Sequence, residues 1–175
     1  GGEPTINPEF EKITDWLSVN KIHWGMNTNF NKFTKVKPDY LKVSFDAYSE
    51  ESYERMRGVQ SYTKVRENIE SYAKWKLKNS SETSLGIQQL VKDHRDARLF
   101  YENNKDLPVD YIVFRPVEST AGKYYTIEDN HDEAERIKKT VMEIAETDER
   151  VNLNFKWDLL DKQEESCTAS WAQIA

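Results

Sequence analysis

Asp39 to Gly58, DYLKVSFDAYSEESYERMRG, is the stretch whose residue types could do chemistry. Tyr40, Leu41, Val43 and Phe45 form a nearly continuous apolar run, which predicts a strand buried on both faces. Ser44 and Asp46 fall at its carboxyl end. Ser49 then caps a predicted helix with Glu50 and Glu51 in its first turn, where the helix dipole favours acids. The helix closes on Arg55, Met56, Arg57 and Gly58. In parallel α/β folds ligands bind outside the carboxyl ends of strands, so a hydroxyl, a carboxylate and a guanidinium gathered there are site candidates. A purely structural role is also open, with Asp46 and Ser49 starting a turn and Arg57 neutralising a helix end. A second group opens the sequence: Gly1 and Gly2 permit a sharp turn and close approach to a ligand, and Glu3 adds a fixed negative charge.

The elements that must hold these residues alternate. Asn7 and Pro8 are expected to begin a helix whose apolar face is Phe10, Ile13, Trp16 and Leu17. Ile22, Trp24 and Met26 predict a strand ending at Asn27 to Asn29, and His23 on it reads as an ordinary polar neighbour, far in sequence from His94 and His131. A helix from Tyr62 to about Leu77 follows, then a strand over Leu85 to Val91, a charged helix from Lys92 to Asn104, and a strand over Val109 to Val117. Glu118 to Asn130 reads as a long loop, Asp132 onward as a helix, and Val151, Leu153 and Phe155 as a final strand. Helix and strand in alternation give a parallel sheet by the right-handed crossover rule.

Composition limits the function classes. With 37% apolar and 32% charged residues, the 175-residue chain reads as one polar globular domain. A net charge of −6 without a Lys/Arg stripe argues against general nucleic-acid binding, and the apolar runs are too short to span a membrane. The single cysteine, Cys167, excludes an internal disulfide.

GGEP, then NTNF, then VSFDAYSEESYERMRG, spaced by alternating helices and strands, resembles the radical S-adenosylmethionine (SAM) enzyme superfamily, over Gly1 to about Val117. The resemblance implies a partial parallel (β/α)6 barrel. On that alignment Gly1 to Pro4 follow the second strand, and the strands ending at Thr28, Asp46, Val91 and Pro116 are the third to sixth. The first strand, most of the second and the CxxxCxxC motif are missing, so a fragment of a longer protein is expected. Residues 1–160 would be the core and 161–175 the start of a C-terminal extension.

The resemblance also implies roles. Gly1, Gly2 and Glu3 would meet the SAM amino group, Ser44 its ribose or carboxylate, and Arg57 its carboxylate, with Arg55 as the alternative arginine. Thr28 and Asn29 match the family's Thr-Asn-Gly, whereas Phe30 replaces the glycine and puts the usual turn in question. Ile87 would wall the adenine, and Arg115 is either a substrate contact or a barrel-mouth ion pair. Cys167 is either the first ligand of an auxiliary iron-sulfur module or a lone buried thiol. The parent would cleave SAM reductively at a four-iron four-sulfur cluster and abstract hydrogen from a peptide or small-molecule substrate, fed by a reductant protein, in the cytoplasm. One cysteine cannot hold such a cluster, so the chain alone is expected to be inactive. The competing readings are a non-catalytic α/β module that binds a nucleotide-like ligand or a partner and, more weakly, an ordinary barrel lyase or aldolase.

Overall fold

A computed structural model describes residues 2–117 and 131–154. After a 3-10 turn at Pro4–Ile6 come α1 (Phe10–Val19), β1 (Gly25–Thr28), β2 (Tyr40–Ser44), α2 (Glu50–Arg57) and α3 (Tyr62–Lys78). The chain continues with β3 (Ser84–Val91), α4 (His94–Asn104), β4 (Tyr111–Pro116), α5 (His131–Ala145) and β5 (Val151–Leu153). All strands pair in parallel, in the order β1-β2-β3-β4-β5, so every crossover joins neighbours. This is an α/β fold with a single parallel sheet, a partial barrel of the expected kind. Among the described residues no helix is long and apolar enough to cross a membrane.

Strand parity shows where the helices lie. Leu41, Val43 and Phe45, Leu85, Ile87 and Val91, and Ile112 and Phe114 share one face of the sheet and are sealed from solvent. They form a single core with Val65, Ile69 and Tyr72 of α3, Ala97 and Phe100 of α4, and Ile137, Val141 and Ile144 of α5. Aromatic contacts knit its centre: Phe45 stacks on Tyr62 at 5.1 Å and meets Phe100 edge-on at 6.2 Å. On β2 the residues of the opposite parity, Tyr40, Lys42 and Ser44, stay exposed or part-exposed, whereas Gln88 beside Ser44 on β3 is buried. The expectation that β2 is buried on both faces is therefore corrected: described helices cover only one face, so β2 alternates.

Local chemistry sets the boundaries. Ser49 and Ser52 form a reciprocal capping box at the start of α2, and Gly58 ends it in the left-handed region, at φ 74°. Helix α1 starts at Phe10, two residues later than expected, because Asn7 Oδ1 accepts from Glu9 N at 2.9 Å and closes a turn before the helix proper.

Two tyrosines floor the uncovered face. Tyr40 lies opposite Gly25 and Tyr111 opposite Gly86 in the ladders, and each ring occupies the space that a side chain on the glycine would need. A Cβ on Gly86 would sit 2.1 Å from the Tyr111 ring. Gly86→Ala is accordingly expected to cost about 1–3 kcal/mol in denaturant unfolding, and clearly less in a Tyr111→Ala background where the ring is gone. Equal costs in both backgrounds would refute this packing.

Candidate functional site

The site begins at the carboxyl end of β1. Glu3 caps the 3-10 turn, and its Oε1 accepts from Thr5 N (3.2 Å), Thr5 Oγ1 (2.7 Å) and Thr28 Oγ1 (2.7 Å). Its Oε2 accepts from Asn29 N at 2.7 Å. Burial opposes ionisation, yet these bonds, from Asn29 N first, hold the Glu3 carboxyl below its ordinary range. Among the described residues Oε2 has a single hydrogen bond and keeps acceptor capacity for an incoming donor. Gly2 beside it is open, since nothing lies within 4 Å of where a Cβ would be. Gly1 lies outside the described residues.

Thr28 and Asn29 lead into the turn where Phe30 stands in place of glycine. The turn forms nonetheless, with Phe30 at φ 55°. A non-glycine residue is uncommon there, and its cost of about 1 kcal/mol is offset by burial. The ring is fully enclosed against Phe33 and Tyr72, and Asn68 Nδ2 donates to Phe30 O at 2.8 Å.

Adjacent on β2, Ser44 occupies the last strand position, part-buried, on the uncovered face. Its hydroxyl makes no hydrogen bond among the described residues. Asp46 follows, 5% exposed and in the left-handed region at φ 54°. Its Oδ1 accepts from Leu90 N at 2.7 Å, tying β2 to β3, and its Oδ2 is ion-paired with Arg57. Arg57 Nη2 also donates to Ser44 O at 3.2 Å. Burial pushes the Asp46 carboxyl up, against the pull of Arg57 and Leu90 N. Helix register thus turns Arg57 back to the strand end, whereas Arg55 reaches Tyr48 Oη at 3.3 Å. Part of the Arg57 side chain stays open, at 34% exposure. Glu3, Ser44 and Arg57 therefore gather at the same end of two neighbouring strands.

Two other candidates fall differently. Ile87 pairs with Val43 and Ile112 and is wholly enclosed in the core, out of reach of any ligand on the uncovered face, where its neighbour Gln88 points instead. Arg115 sits next to last in β4, opposite Leu90 of β3, on the uncovered face. Cys167 and the loop 118–130 lie outside the described residues.

The fold also assembles a cluster that sequence spacing hides. Asp93, His94 and Glu133 bring ligand atoms within 4.8 Å of one another. Most of that capacity is spent: Asp93 caps α4 and binds Arg95 through both oxygens, and Glu133 accepts from His94 N at 2.7 Å and meets the His94 ring at 2.6 Å. The cluster braces α4 against α5.

No family model matches the sequence, and no curated protein matches it either. Solved structures do. Streptococcus suis SuiB bound to S-adenosylmethionine superposes with a TM-score of 0.60 at 16% identity, covering 88% of this chain and 37% of that one. SuiB bound to the precursor peptide SuiA gives 0.63 at 14% identity, over 88% and 36%. The enzyme anSMEcpe with bound AdoMet and a Kp18Cys peptide gives 0.58 at 18% identity, over 95% and 53%. The chain thus spans about a third to a half of the length of these radical SAM enzymes. It has a radical SAM-like fold.

The Asp46 pair supplies a test of the site's framework. Arg57→Ala strands a buried carboxylate, which costs about 3 kcal/mol at neutral pH, the low end for such pairs because Arg57 is partly exposed. A folded-state pKa raised above 3.8 favours the protonated form, so stability is lost as pH rises from the unfolded value through the folded one. Removing Arg57 raises it further, so the deficit against wild type should be smallest near pH 4 and grow toward pH 7 in urea unfolding. A deficit independent of pH would show that Asp46 does not depend on Arg57.

Proposed function

We propose that this chain forms the SAM-binding wall and part of the substrate wall of a radical SAM enzyme. The parent protein reductively cleaves SAM at a four-iron four-sulfur cluster and takes hydrogen from a peptide or small-molecule substrate, with electrons from a reductant protein. The observation that carries this is the Glu3 carboxylate, bonded to Thr28 and Asn29 at the end of β1 and retaining acceptor capacity at Oε2. An ammonium needs acceptors held in place, and Glu3 with the open Gly2 backbone offers them. A carboxylate or ribose needs donors, and the Ser44 hydroxyl and the open part of Arg57 are beside it. Thr28 and Asn29 act here by positioning Glu3. SAM therefore fits the residues present.

The cluster does not fit them. Cys167 is the single cysteine, whereas such a cluster in this family takes three thiolates, so its ligands belong to other parts of the parent. The peptide and SAM ligands of SuiB and anSMEcpe support both halves of the reading by analogy of fold.

The test uses the complete protein encoded by the reading frame that contains this chain, reconstituted anaerobically with iron and sulfide. It should bind SAM and release 5′-deoxyadenosine on reduction, and Glu3→Gln should weaken SAM binding by about 1.5–3 kcal/mol. The 175-residue chain treated in the same way should form no stable cluster. SAM bound but never cleaved by the complete protein would favour a non-catalytic module instead, and absence of SAM binding would end the proposal.

A further inference from the structure

The uncovered face of the sheet carries a cation that the SAM reading does not use. Lys42 lies on β2 two residues before Ser44, about 7 Å further from the strand ends that hold Glu3 and Ser44. It is part-buried, pairs in the ladders with Asn27 and Gly86, and its ammonium makes no hydrogen bond or ion pair among the described residues. Gln88, one register row nearer the rim, is 5% exposed, and its amide oxygen is buried without a partner. Tyr40 and Tyr111, lying over their glycines, belong to the same face. Arg115 on β4 adds positive potential: after burial itself, its charge is what lowers the Lys42 pKa. No Asp or Glu occupies this face of the described strands.

A part-buried ammonium without a counterion and a buried amide oxygen without a donor are both costly, and one ligand relieves both if it brings an anion to Lys42 and an N–H to Gln88. That ligand carries a carboxylate, which accepts from the ammonium, and an N–H, which donates to Gln88 Oε1, on a stem that packs against aromatic rings. We propose that Lys42 and Gln88 form a subsite for an acidic residue of the substrate, Lys42 holding its carboxylate and Gln88 Oε1 accepting from an amide N–H beside it. The inference rests on the SAM reading in placing the substrate on this face, below the SAM end of the strands.

The experiment uses the complete protein with saturating SAM and two probes, N-acetyl-glutamate N-methylamide and its glutamine counterpart, with binding followed by calorimetry. The wild type should bind the carboxylate probe at least about tenfold better than the amide, and Lys42→Met should abolish that preference while SAM affinity stays within about twofold. Lys42→Arg should retain much of the preference, and Gln88→Leu should weaken both probes alike. No carboxylate preference in the wild type overturns the subsite, and this arm stands even if Lys42→Met fails to fold. A loss of SAM affinity in Lys42→Met with the probe unaffected also overturns it, because the ammonium would then serve SAM. Probe binding by a protein that does not bind SAM would sustain the subsite and remove the function proposed above.

Discussion

Helices on one side of a parallel sheet are the constraint from which the rest follows. A strand in such a sheet has one face that must be apolar and one that need not be, and β2 obeys it residue by residue: Leu41 and Val43 enter the core, as does Phe45 just after it, while Tyr40, Lys42 and Ser44 do not. The second face can then carry polar side chains, among them Lys42, Ser44 and Gln88. The strand ends tie that face to the loops, through Glu3 at β1 and through Asp46 at β2 and β3.

Asp46 is the more consequential tie. It carries charge almost wholly out of water, which is tolerable because a guanidinium and a backbone amide meet its two oxygens. Arg57 therefore does two things at once, neutralising Asp46 and standing partly open at the strand ends. A purely structural role, with a turn-forming aspartate and a helix-capping arginine, describes each residue singly, whereas the fold joins them across the helix between.

Element order, the parallel sheet and the caps were legible in the sequence because they depend on local signals: apolar periodicity, Ser49 before Glu50 and Glu51, and Gly58 after Arg57. What escaped needed knowledge of which side was covered. The apolar run in β2 hid the alternation because Tyr40 counts as apolar yet lies on the open face, and Ile87 looked available because its strand carried no face label. Phe30 showed the opposite failure. Its type argued against a tight turn, but burial of the ring outweighs the backbone strain. The Asp93, His94 and Glu133 cluster joins the starts of two helices far apart in sequence, and no spacing rule reports that.

The paired tyrosines and glycines separate the shape of the open face from the stability of the core. Tyr40 and Tyr111 stand over Gly25 and Gly86 and belong to the face opposite the main apolar cluster. A smaller residue at either tyrosine position would deepen the floor down to bare backbone without opening a void among Val43, Ile87 and Phe114. Across descendants of such a scaffold, the relief of the open face could therefore drift through single substitutions at two ring positions while the helices and their packing stay as they are.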